Sequence, residues 1–232
     1  LAGFPDGHNT VFDFCLQLWC QGGELTDGQG NVNIDSKESC EALEFYRGLS
    51  QNTLIMHPHS ASFDSVKSGM AFARGEIAMM VNWFGFASYC EVAADSLVKG
   101  KVDISTVPKA GKNGRHISLN AYWMYGVPSG SQHKLIAYDF ISFAVNAEND
   151  KLLTLEGGIG CRKSTWADPE INAVIPYYHK LSSLHDNARE LPRLSNWFDI
   201  SRIIDEVVLE VTNTVHPVRE IIKNGQGKIA KL

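Results

Sequence analysis

The chain has 232 residues, 44% of them hydrophobic and 20% charged, with a formal net charge of -5 and a pI near 5.9. This apolar share is enough for a packed core and excludes an intrinsically disordered chain. The negative balance and the scattered Lys and Arg argue against a general nucleic-acid binder, and no run of about 18 apolar residues is available to span a bilayer.

The first part of the chain predicts two helices. One covers residues 9–21, is apolar on most sides and stops at Gly22-Gly23, because glycine tolerates the left-handed conformation that ends many helices. The other starts at Asp35, with Glu38 three residues on as in a capping box. Its apolar face is expected at the helical spacing of Ala42, Phe45, Tyr46 and Leu49.

The middle of the chain predicts extended segments. After a helix over 62–74 that Gly75 ends, the apolar run 77–81 is typical of a buried strand. An aromatic loop and a short helix follow it. Residues 102–107 and 118–127 are also expected to be extended. With the helices on either side, this pattern predicts a mixed α/β protein in which helix dominates.

Two breaks divide the rest of the chain. Residues 109–115 are basic, contain glycine and resemble a linker, and Gly157–Gly160 is a second break. Between and after them, helices are predicted around 136–144, from the Asp168-Pro169-Glu170 start, around 203–211 and from 218 to the C-terminal end.

The cysteines give no sign of a metal or redox site. There are five of them, none with the close Cys-x-x-Cys spacing of zinc and redox motifs. An odd number cannot pair completely within the chain. We therefore expect small buried hydrophobic residues and predict neither a metal nor a cofactor.

A search for catalytic motifs is equally unproductive. The Gly-rich break at 157–160 lacks the Gly-Lys-Ser/Thr of a phosphate-binding loop. His57 and His59 flank a proline and are expected in a solvated turn. The acids at 199, 205, 206 and 210 fit the wet face of an amphipathic helix better than a catalytic pair.

Aromatic pairs are more informative. Trp83-Phe84 follow the predicted strand, Tyr122-Trp123 lie beyond the linker, and Trp197-Phe198 precede an amphipathic helix. Aromatic faces beside polar side chains suit sugars, whose C–H faces pack on the rings while their hydroxyls form hydrogen bonds. Ordinary core packing of the same residues remains an open alternative.

Several segments, in order, resemble the extracellular solute-binding proteins of ABC importers, and within them the maltose-binding-like sugar binders. Gln21-Gly22-Gly23 followed by Asp35-Ser36 is similar to the family's glycine pair and aspartate-capped helix. Phe72-Ala73-Arg74-Gly75-Glu76-Ile77-Ala78-Met79 resembles its Phe-x-x-Gly-x-x-Ala-Met signature. Three later segments extend the resemblance over nearly the whole chain: 127–131 with 137–141, 157–164, and the terminal helix near Pro217.

The resemblance implies the fold of a type II periplasmic binding protein: an α/β clamp of two lobes, represented here mainly by its helix-dominated C-terminal lobe with a small mixed sheet. Residues 1–112 and 161–232 would form that lobe. Residues 113–160 would cross into the N-terminal lobe. The two breaks, 109–115 and 157–161, would be the hinge crossings.

The sequence departs from the family at its start, since family members carry a further stretch, with a signal peptide, before the point that matches Leu1. We interpret the chain as a processed or truncated product that holds one wall of a binding cleft. The segment 115–160 is then expected to expose an apolar surface, which a second copy of the chain could cover.

The resemblance also assigns site residues. Stacking on a sugar ring is expected for Trp83, Phe84, Trp123 and Trp197, and hydroxyl recognition for Asn9, Asp13, Asn82 and Arg162. Thr10, Phe12 and Phe198 complete the predicted lining. Cys161 stands where the family often has proline, which leaves the local turn before Arg162 undetermined.

The implied function is sugar or oligosaccharide binding for import, without catalysis. The implied partners are the sugar and the membrane permease, and the implied location is the periplasm or the cell exterior, in association with the membrane. Two alternatives stay open: a family member that binds a polyamine, metal or phosphate ester, and a glycoside-processing enzyme that uses two carboxylates.

Overall fold

A computed structural model describes the backbone of residues 8–232 and the side chains of residues 10–232. Over this range it is helical, with one short pair of strands. The helices are α1 His8–Cys20, α2 Lys37–Ser50, α3 Ser65–Ala73, α4 Phe84–Val92, α5 Lys134–Ala144, α6 Ala147–Leu155, α7 Lys163–Trp166, α8 Pro169–Val174, α9 Leu181–Asp186, α10 Trp197–Asn213 and α11 Val218–Ile229. The strands are β1 Ser118–Leu119 and β2 Ala188–Arg189.

The larger core lies among α1, α2, α10 and α11. The predicted apolar stripe of α10 is confirmed, because its inward side chains from Ile200 to Val211 are all buried. The apolar positions predicted for α11 are buried as well. Since these helices present apolar residues at helical spacing, they bury one face each and leave their charges in water.

Helix α1 is buried on most of its surface, as its composition predicts. It ends at Gly22, whose φ of +86° lies in the left-handed region. The carbonyl of Cys20 then accepts hydrogen bonds from the backbone N–H groups of Ala110 and Arg115, at 3.1 and 3.3 Å. The loop predicted as a linker is therefore folded against the end of α1, and Ile117 beyond it is buried in the same core.

Helix α2 starts one residue later than predicted. Its N-cap is Ser36, whose Oγ accepts from the N–H of Ser39 at 3.0 Å, so the pairing of Asp35 with Glu38 is wrong. Its buried face is also rotated. Leu43 is buried where the prediction placed Phe45, which is half exposed.

A buried polar contact joins α1 to α2. The Tyr46 hydroxyl donates to Asp13 Oδ2 at 2.9 Å, and both residues are buried. Burial, reinforced by the Asp13 charge, raises the pKa of Tyr46 well above its ordinary value. The pair thus fixes the rotation of α2 against α1 in an otherwise apolar contact.

The smaller core lies among α4, α7, α8 and the segment that leads into α9. Ile171, Ile175 and Tyr178 are completely buried there. The predicted cap of α8 is confirmed, since the Asp168 carboxylate accepts from the N–H groups of Glu170 and Ile171. Helix α3 packs on α4 and begins after Asp64, which caps it.

The strand predictions are mostly wrong within residues 8–232. The run 77–81 and residues 102–107 form no ladder there, and Met79 is 82% exposed. Within the predicted extended segment 118–127, only the residues of β1 form a strand, and β1 pairs in parallel with β2. The sheet described here is therefore a parallel pair and not the predicted mixed sheet. An apolar run becomes a strand only where a neighbour supplies backbone partners, and no such neighbour flanks these runs in the described chain.

Helix α5 packs differently from the others, because none of its residues is buried. Leu135, Ile136, Phe140 and Phe143 are each at least 66% exposed. Just before it, Trp123 is fully exposed. The expectation of an exposed apolar surface within 115–160 is confirmed.

Replacing Gly22 with Ala should destabilise the chain by at least about 1–2 kcal/mol, because an L-residue at this φ is strained. A Cβ at this position would also lie 2.6 Å from the carbonyl oxygen of Asn113. Urea unfolding followed by circular dichroism measures the effect. Gly28→Ala is the matched control, since a Cβ there meets nothing within 4 Å; equal midpoints for the two variants would contradict the prediction.

Tyr46→Phe should cost about 1.5–3 kcal/mol at neutral pH, because it removes a hydrogen bond to a buried carboxylate. The raised pKa of Tyr46 adds a pH dependence with a definite sign. The contribution is complete below the unfolded tyrosine pKa of about 10 and is lost as pH rises above it. Unfolding from pH 7 to 11 should show a shallower alkaline loss in the variant, whereas Tyr125→Phe, at an exposed ring, should behave as wild type.

Candidate functional site

The starts of α1 and α4 meet at an aromatic contact. The rings of Phe12 and Trp83 are 5.4 Å apart at 88°, an edge-to-face arrangement. Both side chains are only partly buried. The structure therefore brings together two of the predicted site residues from segments about seventy positions apart, and leaves aromatic surface open to a ligand.

Asn82 shapes the turn that presents Trp83. Its Oδ1 accepts the backbone N–H of Trp83 at 2.8 Å, and its Nδ2 donates to the Ser65 carbonyl at 2.9 Å. The amide is thus occupied in bonding α3 to the loop before α4. In this arrangement Asn82 positions the indole, and hydroxyl recognition by the rest of its amide stays a prediction.

Phe84 faces the smaller core. Its ring lies edge-to-face on Tyr178 at 5.3 Å, which is the core-packing alternative that its sequence left open. Beside it, Gly85 lies against Ile159, since a Cβ on Gly85 would be 3.2 Å from Ile159 Cδ1. The Gly-rich break at 157–160 therefore passes close to the start of α4.

The polar residues predicted on α1 lie below the surface. Thr10 and Asp13 are buried, and Asp13 accepts from Tyr46. The side chain of Asn9 lies outside the described residues. Thr10 and Asp13 are thus packed inside the fold, and a ligand contact by either of them stays a prediction.

Arg162 is exposed, and its Nη2 donates to the carbonyl of Val145 at 2.7 Å. The guanidinium links residues 157–162, the return segment, to the end of α5. It keeps further donors facing solvent. The turn at Cys161, which the sequence left undetermined, is set by its N–H, which donates to Asp150 Oδ1 at 2.8 Å. Desolvation, and then the Asp150 charge, raises the pKa of the Cys161 thiol.

The remaining aromatic candidates are spread out. Trp123 is fully exposed beyond β1, and Phe198 is 78% exposed on α10. Trp197 packs partly against the larger core. These positions are not gathered around Phe12 and Trp83 by any ring contact within residues 10–232.

Asp150 is the residue that sequence reasoning missed. It is buried on α6, and besides the Cys161 N–H it accepts from the Thr165 hydroxyl at 2.5 Å. One sequence signal could have identified Asp150: it is an acid in the first turn of a helix that immediately precedes a Gly-rich break. It secures the return segment and does not face a cleft.

A cavity lies away from these residues. A volume of about 630 Å³ opens between residues 27–33 and the ends of α10 and α11, and its lining includes none of the predicted site residues. Its polar groups serve the fold, since Gln226 accepts from the Ile34 N–H and donates to the Val32 carbonyl. Within residues 8–232 there is no cluster of three metal-ligating side chains, and no helix is long and apolar enough to cross a membrane.

Solved structures resemble this chain over almost its whole length. Maltose-bound MalE3 of T. maritima superposes with a TM-score of 0.87 at 26% identity, covering 95% of this chain. A ribitol-bound ABC transporter solute-binding protein of Agrobacterium radiobacter K84 gives 0.86 at 23% identity and full coverage. The GacH receptor of Streptomyces glaucescens, solved with acarbose, gives 0.77 at 22% over 96%. No curated protein matches the chain.

The chain spans only 57%, 58% and 56% of those three structures. It therefore has the fold of part of a type II periplasmic binding protein. A family model described as bacterial extracellular solute-binding protein matches residues 4–174, well over half of the chain. The chain belongs to the bacterial extracellular solute-binding proteins.

Proposed function

We propose that the protein is the carbohydrate-binding component of an ABC importer and that this chain forms one wall of its cleft. The observation that carries the proposal is the partly open Phe12–Trp83 contact beside the Gly-rich return segment. Maltose, ribitol and acarbose accompany the three similar structures. A ring face of this kind packs on the C–H surface of a sugar or polyol.

Non-catalytic binding is part of the proposal. A glycosidase needs two carboxylates placed across the scissile bond. Asp13 is buried and accepts from Tyr46, and the buried Asp150 is held by backbone and hydroxyl donors. On α10, Glu206 pairs with Arg202 and Lys228, as expected for a solvated face. The glycosidase alternative predicts turnover of a chromogenic glycoside by the full-length protein.

A different ligand class remains the second candidate. Polyamine, metal or phosphate-ester binding would need free carboxylates, ligand clusters or free cations. Asp13 is bonded to Tyr46, and no cluster of three metal-ligating side chains lies within residues 8–232. These observations count against a polyamine and a metal, whereas the exposed Arg162 could equally serve a phosphate ester or a sugar hydroxyl.

We further propose that α5 is a core helix of the opposite lobe. Its apolar residues include Leu135, Ile136, Phe140 and Phe143, all of them exposed in the described part of the chain. An apolar face of this kind is rarely left open to water. The similar structures, of which this chain spans 56–58%, are long enough to hold a second lobe that could cover it.

The contacts at both ends of the predicted segment 113–160 suggest closer bounds for it. Ile117 is buried in the larger core, and α6 is bonded to the smaller one through Asp150 and through Lys151, which pairs with Asp168. We propose that residues from about 121 to 146 leave the lobe described here. In the assembled receptor, sugar-induced closure would present both lobes to the permease at the outer face of the membrane.

Trp83→Ala should weaken sugar binding by the full-length protein about tenfold or more, because it removes about 0.5–1.5 kcal/mol of aromatic stacking together with the apolar area buried by the indole. Isothermal titration with maltose, maltotriose and ribitol measures the change. Phe45→Ala, at a half-exposed ring on α2, is the control and should bind as wild type. Unchanged affinity for every bound sugar in Trp83→Ala would contradict the stacking role.

The chain on its own should bind the dye ANS through α5, since an apolar patch of this size is rarely left open. Phe140→Glu should lower dye fluorescence without lowering the thermal midpoint, because the ring makes no buried contact. Val215→Glu, at an equally exposed apolar residue in the α10–α11 loop, should leave the fluorescence unchanged. Light scattering tests self-association: a dimer that Phe140→Glu dissociates would favour the second-copy explanation.

A further inference from the structure

On the course proposed for residues 121–146, the chain departs after β1 and returns through α6 and the Gly-rich break at 157–160. These two passages are held differently. The return passage is fixed by buried groups. The N–H of Gly160 donates to the Tyr178 hydroxyl at 2.9 Å, and its carbonyl accepts from Trp166 Nε1 at 2.7 Å. Asp150 binds the next residue, Cys161, and Thr165.

Breaking the contacts of the return passage has a high free-energy cost. Tyr178 is fully buried, and Trp166 and Asp150 are nearly so. Separating a buried donor or acceptor from its partner exposes the full desolvation penalty of both groups. A Cβ on Gly160 would meet Thr154 and Asp150 within 2.7 Å, so the backbone itself is tightly enclosed. The return passage is an anchor.

The outgoing passage is held by half-buried and exposed groups, and its contacts weaken from Asn120 to Trp123. The Asn120 N–H donates to the Arg189 carbonyl at 2.8 Å, beside the single strand pair. Beyond it, the Tyr122 hydroxyl lies 3.4 Å from His185 Nδ1, at the long end of the hydrogen-bond range. Tyr122 is 51% exposed, and Trp123 after it touches nothing. Opening this contact returns both groups to water at low cost.

One side chain connects the two passages. The His185 ring lies 6.4 Å from Tyr122 and 5.4 Å from Trp166, with both contacts edge-to-face. Trp166 is the residue whose indole holds the Gly160 carbonyl. A chain of contacts therefore joins the outgoing passage to the anchored one. It runs from Tyr122 to His185, from His185 to Trp166, and from Trp166 to Gly160.

We propose that Tyr122 and His185 form a releasable latch at which the outgoing passage bends, while the Asp150 and Gly160 contacts stay closed. His185 is thus a positioning residue: it fixes the exit direction of the chain relative to the anchored return. This inference extends the proposed function, since it locates the bending point of the proposed clamp, and it assigns that point to residues 120–123 rather than to 109–115.

Site-resolved amide hydrogen exchange on the 232-residue chain tests the latch. Tyr122→Phe removes the hydroxyl, and His185→Phe keeps a ring on Trp166 while removing the Nδ1 acceptor. Each should speed exchange of the Asn120 amide about two- to fivefold, the effect of one weak hydrogen bond on local opening. The Cys161 amide, bonded to Asp150, should keep its wild-type rate.

The double variant decides between coupling and general loosening. If the two groups act on each other, Tyr122→Phe with His185→Phe should speed the Asn120 amide no more than either change alone. Unchanged Asn120 exchange in the single variants, multiplied effects in the double variant, or equal acceleration at Cys161 would each overturn the latch. Sugar titration of the full-length protein is a separate measurement, so that failure of the proposed function would leave the exchange result standing.

Discussion

The arrangement of the molecule depends on the burial of α1. This helix is about 20 Å long and is enclosed by α2, α10 and the loop at 110–115. Phe12 near its start contacts Trp83, and the Cys20 carbonyl at its end accepts from both ends of that loop. The aromatic contact and the base of β1 are thus held by one rigid element, whose position is set by apolar packing on three sides and by the Asp13–Tyr46 bond.

The sequence predicts elements whose partners are close along the chain or apolar in a regular pattern. The stripe of α10, the Asp168 cap and the glycine stop of α1 are of this kind, because each is decided within a few residues. The strand at 77–81 is not, since a strand exists only when another segment pairs with it. The rotation of α2 was missed for a similar reason: the Tyr46–Asp13 bond that selects its face joins residues 33 positions apart.

The candidate site shows the same contrast between features decided locally and features decided by distant partners. Aromatic type and position pointed to Trp83, and the structure places Phe12 against it. The roles of polar residues are harder to predict, because a carboxylate or amide that suits a cleft is equally useful inside the fold. Asn82 bonds the turn before α4, Asp13 bonds α2, and Arg162 holds Val145. These long-range bonds are not readable from the sequence around each residue.

The unequal holding of the two chain passages gives the clamp a direction of movement. A rigid-body closure needs at least one segment that changes conformation, and it proceeds at low cost only where contacts are exposed and weak. The return passage has buried donors and acceptors on both sides of Gly160. The outgoing passage has one strand pair and a long Tyr122–His185 contact. Because Trp83 and Ile159 lie near Gly85 at the anchored side, bending at residues 120–123 would move the opposite lobe while leaving the aromatic wall of the site undisturbed.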